Sequence, residues 1–147
     1  MFETLLVATD GSKAAEKAVV WAVDFAKRHD SKLVVLNVTP DKRVRLEAQE
    51  PNAPPAGDVS PEDAGDLVSD EALARAEKLA KEAGVAYVLE EVYGRNIAAT
   101  IAKEALNVGA DHIIIGSTGV TALATCVLGS VAQNVVHYAH CPVTVVR

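Results

Sequence analysis

The 147 residues match the usual size of one domain and can enclose one real hydrophobic core. Half are hydrophobic but only 4% aromatic, so that core has to be built from Val, Ile, Leu and Ala, which suits β-branched strands covered by Ala-rich helices. A net charge of −6 excludes a general binder of nucleic acid or anionic membrane, since both need a basic face, but not a small anion held by backbone N–H groups.

No run of about 18 apolar residues occurs, so no transmembrane helix is expected. The start, Met1 to Val7, lacks a basic region and carries Glu3; it does not read as a signal peptide, and a cytoplasmic location is expected. Cys126 and Cys141 show no C-x-x-C spacing and are read as reduced thiols.

In chain order, Leu5-Leu6-Val7-Ala8 is a short apolar run closed by Thr9-Asp10-Gly11-Ser12. Ala15, Val19, Ala22 and Ala26 then recur at helical spacing, with Ser12 as N-cap and Lys27, Arg28 and His29 at the favourable C-terminal end. Trp21 and Phe25 share that helix at a spacing that suggests packing. Leu33 to Val38 reads as a second strand. Asn37-Val38-Thr39 at its end matches a glycosylation sequon, read here as a chance match.

The stretch 39–66 holds Pro51, Pro54, Pro55 and Pro61 and no clear period; it is expected to be an irregular excursion at the carboxyl end of that strand. A helix starts at Ser60-Pro61 or at Ser69, carries Leu73, Ala76, Leu79, Ala80 and Ala83, and ends at Gly84. Its charged face, Glu71 to Glu82, reads as solvated. Val85 to Val92 is a third strand, and Asn96 caps a helix with Ile97, Ile101, Ala105 and Val108 on one face, closed by Gly109. His112-Ile113-Ile114-Ile115 is a fourth strand, continuously apolar as when both faces are covered. A small-residue loop from Gly116 to Leu128 leads to a helix near Ser130, and Val143 to Val146 is the fifth strand. Five strands alternating with four helices imply right-handed crossovers, a parallel sheet covered on both faces and one domain over 1–147.

Ligands of such sheets bind outside the carboxyl ends of the strands, where the strand order reverses. Two loops there look specialised: Thr9-Asp10-Gly11-Ser12, and Gly116-Ser117-Thr118-Gly119 followed by Gly129-Ser130. The glycines allow sharp turns and close backbone approach, and a helix opening at Ser130 offers unpaired N–H groups to an anion. With the hydroxyls of Ser117, Thr118 and Ser130, these groups can hold a phosphate without a basic side chain. Singly, each glycine is more readily a turn residue; together, on adjacent loops, they favour a phosphate site.

The pattern Gly116-x2-Gly119-x9-Gly129-Ser130, a first strand ending in Asp10-Gly11-Ser12, and Cys141-Pro142-Val143 before the last strand resemble the universal stress protein family, nucleotide-binding branch, over almost the whole chain. The resemblance implies a flavodoxin-like, adenine-nucleotide-hydrolase-like fold with sheet order 3-2-1-4-5, and a homodimer paired through the C-terminal strand 143–147. It implies a nucleotide-binding stress-response protein whose ligand is ATP, AMP or cyclic AMP, with Mg²⁺ accompanying ATP. By the same resemblance Ala8, Thr9 and Asp10 approach adenine and ribose, Val38 contacts adenine, and Gly116, Gly119, Gly129, Ser130 and Val131 line the phosphates, with Ser117 and Thr118 joining the nucleotide-binding set through their hydroxyls. Two departures stand out: Val120 to Leu128 has no Lys or Arg, and Gly94-Arg95-Asn96 lacks the proline usual after the third strand. Arg95 becomes the candidate compensating phosphate contact.

No G-x-x-x-x-G-K-[ST], G-x-G-x-x-G or G-x-S-x-G occurs, so P-loop, Rossmann and hydrolase-elbow readings lack support. His137, His140 and Cys141 match no zinc spacing and read as a helix end and its turn. Asp10 is a weaker candidate for Mg²⁺ than for orienting ribose or capping its own turn. Two rivals stay open: a slow ATPase at the same site, and a nucleotide-free dimeric interaction module with an unknown regulatory partner.

Overall fold

The computed structural model describes residues 2–40, 61–118 and 128–147, the stretch 61–69 by its backbone alone. Five strands, β1 (Thr4–Ala8), β2 (Lys32–Thr39), β3 (Tyr87–Tyr93), β4 (His112–Gly116) and β5 (Val143–Val146), form one sheet of order β3-β2-β1-β4-β5, every pair parallel. The described helices are α1 (Lys13–His29), α2 (Pro61–Ala83), α3 (Ile97–Asn107) and α4 (Ser130–Tyr138). The fold is the doubly wound, flavodoxin-like one that the alternation implied. The third strand starts at Tyr87 rather than Val85, and α2 takes the earlier of its two possible starts. Residues 41–60 of the expected excursion lie outside the described residues, while 61–66 belong to α2.

The period-2 geometry of a strand divides β1 between two cores. Leu5 and Val7 pack with Ala18, Ala22 and Ala26 of α1 and Ala76 and Ala80 of α2. Leu6 and Ala8 pack with Ala98, Ile101 and Ala105 of α3 and Ala132 and Val135 of α4. Alanine on the helices lets them sit close to β-branched strands, which is how a chain so poor in aromatics fills its interior. Among described residues, no helix is long and apolar enough to cross a membrane.

Helix ends follow the local chemistry. The Ser12 hydroxyl accepts from the N–H of Ala15, as expected of an N-cap, and α1 stops at Asp30, whose φ of 54° is left-handed. The Asn96 side chain caps α3 through the N–H of Ala99 at 3.0 Å. The charged face of α2 does more than face solvent. Arg75 pairs with Glu16 of α1, and Tyr87 of β3 donates its hydroxyl to Glu77 at 2.8 Å. That bond, with Lys81 adding to it, holds the Glu77 carboxyl below its usual range; the same bond raises the Tyr87 hydroxyl, against the opposing pull of Lys81.

Trp21 stacks on Phe25 with ring centroids 5.0 Å apart, so the packing role expected of the pair is met, although Trp21 keeps one side in solvent. Asp111 and His112 open β4 and gather the chain's early residues. Asp111 Oδ2 accepts from the N–H groups of Glu3 and Thr4, and His112 Nε2 lies 2.7 Å from Thr144 Oγ1.

Candidate functional site

β1 lies between β2 and β4, so the chain winds away from it in opposite directions, and the two connections part at the carboxyl ends of β1 and β4. A cavity of about 290 Å³ opens there. Ala8, Thr9 and Asp10 bound it from the end of β1, Val38 from β2, and Ile115, Gly116, Ser117 and Thr118 from β4 and beyond. Gly129, Ser130, Val131 and Ala132 close it from the start of α4, and Ile97 and Ile101 of α3 with Ala15 of α1 complete the wall. The residues expected at the site from the sequence therefore meet around one space, with two exceptions. Gly119 lies outside the described residues. Arg95 is exposed, just before the N-cap of α3, and does not line the cavity.

The β1 side is held by short-range bonds. Thr9 donates its N–H to Leu36 O at 2.9 Å, continuing the ladder one residue past the strand. Asp10 Oδ1 accepts from the N–H of Ser12 at 2.9 Å, an Asx turn that starts α1, so the turn-capping reading of Asp10 is met. The Thr9 hydroxyl accepts from the N–H of Gly11, whose φ of 81° favours glycine.

Two glycines owe their identity first to packing. A Cβ on Gly116 would lie 2.7–2.9 Å from backbone atoms of Ala14 and Ala15, so β4 ends against the first turn of α1. A Cβ on Gly129 would lie 3.0 Å from Ser117 O, the same carbonyl that accepts the N–H of Gly129 at 2.7 Å. The close approach read from the sequence is thus an approach to protein backbone. It sets the start of α4 beside the end of β4.

The first intrahelical bond of α4 runs from Gln133 to Gly129 O at 3.0 Å. The N–H groups of Ser130, Val131 and Ala132 therefore precede any acceptor within the helix, at its positive end and on the cavity wall. Among the described residues no side chain caps this helix. Opposite, Val38, Ile97, Ile101 and Ile115 make an apolar wall. Asp10 is the one formally charged residue among the described residues that line the space. An apolar wall facing hydroxyls and unpaired N–H groups suits a flat ring joined to a polar, anionic end.

Sequence reasoning placed Ile97, Ile101 and Ile115 in the core and missed that their carboxyl-side ends reach the cavity. The apolar face of α3 was visible, but not how far up the sheet it extends. It also missed Asn37, a buried amide in a strand that otherwise reads as apolar. Among described residues, no three or more His, Cys, Asp or Glu side chains gather as metal ligands.

A doubly wound parallel sheet in the order β3-β2-β1-β4-β5, with a cavity at its switch point, defines a flavodoxin-like α/β protein. The universal stress protein family model matches residues 1–147, and the chain belongs to that family. A Staphylococcus saprophyticus relative described within the same family is 33% identical, covering 99% of this chain and 84% of the relative. Among solved structures, a universal stress protein in complex with cAMP superposes with a TM-score of 0.68 at 24% identity, covering 99% of this chain and 97% of that one. The Archaeoglobus fulgidus universal stress protein in complex with dAMP gives 0.69 at 21% identity, covering 100% and 98%. At these identities the likeness of the two structures is one of fold.

Proposed function

We propose that this protein is a cytoplasmic, homodimeric adenine-nucleotide-binding regulator of the stress response, a single domain that takes its ligand in the cavity between β1 and β4. The observation that carries this reading is the cavity's division into an apolar wall and a donor-rich end within one space. Adenine fits against Val38, Ile97 and Ile115, ribose beside Asp10, and phosphate at the start of α4 with the hydroxyls of Ser117, Thr118 and Ser130. The fold neighbours bound to cAMP and dAMP support the ligand class.

Charge ranks the candidates. The described lining residues supply one formal charge, the carboxylate of Asp10, and the sequence from Val120 to Leu128 has no cation. Helix-end N–H groups act as about half a positive charge, worth up to ~2 kcal/mol to an anion. AMP and cyclic AMP are therefore favoured over free ATP, and ATP gains from Mg²⁺. Arg95, exposed at the same edge, contributes a screened attraction. The dimer forms through β5, which pairs only with β4 among the described strands and leaves its outer edge open.

The test is thermal unfolding of ligand-stripped protein with ATP, ADP, AMP and cyclic AMP, each with and without Mg²⁺. A ligand at a hundred times its Kd stabilises by about 2.7 kcal/mol, on the order of 5–10 °C for a chain of this size. Such a shift with AMP or cyclic AMP, lost in Gly129→Val, supports the reading. No shift with any nucleotide at millimolar concentration overturns it in favour of a nucleotide-free interaction module.

A further inference from the structure

Resting on that reading, we infer that Asn37 is a positioning residue for the nucleotide, acting through the main-chain carbonyl of Thr9. Asn37 lies near the carboxyl end of β2 and is 3% exposed. Its Nδ2 donates to Thr9 O at 2.8 Å, a buried bond between residues 28 apart in the chain. The preceding residue of β2, Leu36, accepts the N–H of Thr9. Both main-chain polar groups of Thr9 are thus held by consecutive residues of one neighbouring strand.

The reason lies in where the ladder stops. β1 ends at Ala8, paired with Leu36, and beyond it the chain turns through Asp10 and Gly11 into α1. The carbonyl of Thr9 has left the regular ladder but is still inside the protein, where an unpaired carbonyl is costly. A valine or leucine would satisfy the apolar pattern of β2 and supply no donor. The amide of Asn37 supplies one and continues the pairing by one more bond.

That bond fixes an orientation. All peptide bonds described are trans, so with the Thr9 carbonyl turned toward β2 the rest of the Thr9–Asp10 peptide plane faces away from β2, toward the gap between β1 and β4. Thr9 and Asp10 both line the cavity. The edge that adenine and ribose meet therefore takes its angle from Asn37, although Asn37 does not line the cavity itself.

The experiment is calorimetric titration of AMP and of guanosine monophosphate into the full-length protein, its Asn37→Leu variant, and Val35→Ala as a control that loses stability in the same strand without touching Thr9. All are measured at a temperature where circular dichroism shows each folded. We expect Asn37→Leu to bind AMP at least tenfold more weakly and to discriminate less between the two bases, while Val35→Ala keeps the parent's affinity and discrimination. If Asn37→Leu does not fold, Asn37→Ser, which leaves room for water beside the carbonyl, is titrated in its place with the same expectation. Parent binding with unchanged affinity and discrimination in the Asn37 variant overturns this inference alone. A parent protein that binds neither nucleotide overturns it together with the proposed function.

Discussion

The two ends of the five-residue strand β4 are built for opposite purposes. At the amino end the polar groups are turned inward and most are paired, although Asp111 Oδ1 and His112 Nδ1 are buried without a hydrogen-bond partner among the described residues. Asp111 takes two N–H groups from the start of β1 and gives its own to Thr4 O, His140 reaches Ala110 O, and His112 meets Thr144. The rings of Phe2 and Phe25 crowd His112 at 4.9 and 5.7 Å. At the carboxyl end Ser117 gives its N–H to Val146 O and accepts from Gly129, and beyond it the chain borders a cavity with donors left over. Strand direction thus separates holding the sheet together from presenting a site. The run of isoleucines spans both, with Ile113 and Ile114 packed in the two cores and Ile115 reaching the cavity wall.

The strongest challenge to that division is Gly116→Ala, because Gly116 belongs to both roles. The added methyl would meet backbone of α1, which cannot step aside as a side chain can. Overpacking of this kind costs about 1–3 kcal/mol, and the shift in α1 should weaken nucleotide binding with it. Urea unfolding and titration on one sample check both. Full stability with full affinity would mean the contact is not as close as described.

Asp111→Ala tests the other end and should separate the two properties. It strips the acceptor from the N–H groups of Glu3 and Thr4 and should cost about 1–2 kcal/mol, read as a lower urea midpoint, with nucleotide affinity unchanged. A loss of affinity here would show that the two ends are coupled.

How much of this was legible in the sequence also divides along the sheet. The elements were readable because local signals agreed: β-branched runs, alanines at helical spacing, and Ser12, Asn96 and Gly84 at helix ends. The location of the cavity followed from strand alternation, and its polar rim from Asp10, Ser117 and Ser130. What could not be read were contacts between residues far apart in sequence. Asn37 to Thr9, Asp111 to Thr4 and Gly116 to Ala14 each join segments whose mutual register only the folded sheet fixes. Each uses a residue type common enough that its local context gives no warning. Gly116 was assigned the right freedom for a reason the packing revises: its missing Cβ makes room for α1.

Ser130→Ala is a smaller change at the carboxyl end. Ser130 is exposed at the start of α4, and its hydroxyl makes no cap there. Stability should stay within about 0.5 kcal/mol. The loss of one hydroxyl to phosphate should weaken AMP by a factor corresponding to about 0.5–1.5 kcal/mol. Calorimetry on the variant checks it. An affinity loss with no change in unfolding midpoint is the signature of a group kept for the ligand, the reverse of what Asp111→Ala should show.

The smallest effect belongs to His112 and appears only as a pH dependence. Burial among the aromatic rings lowers its pKa from the ordinary value near 6.5, and the neighbouring Asp111 carboxylate pulls it partly back. A folded-state pKa below the unfolded one means that the unfolded chain binds the proton more readily. His112 therefore costs no stability above the unfolded value, and the folded state loses stability as pH falls below about 6.5 toward the lowered value. Melting temperatures of the parent and His112→Gln, compared between about pH 7.5 and about pH 5.5, should show the parent falling more steeply over that interval. In an Asp111→Ala background the opposing charge is gone, so the parent-versus-Gln difference should widen. A difference that vanishes there would mean that burial is not what depresses the imidazole, and that the amino end of β4 is more open to solvent than its packing shows.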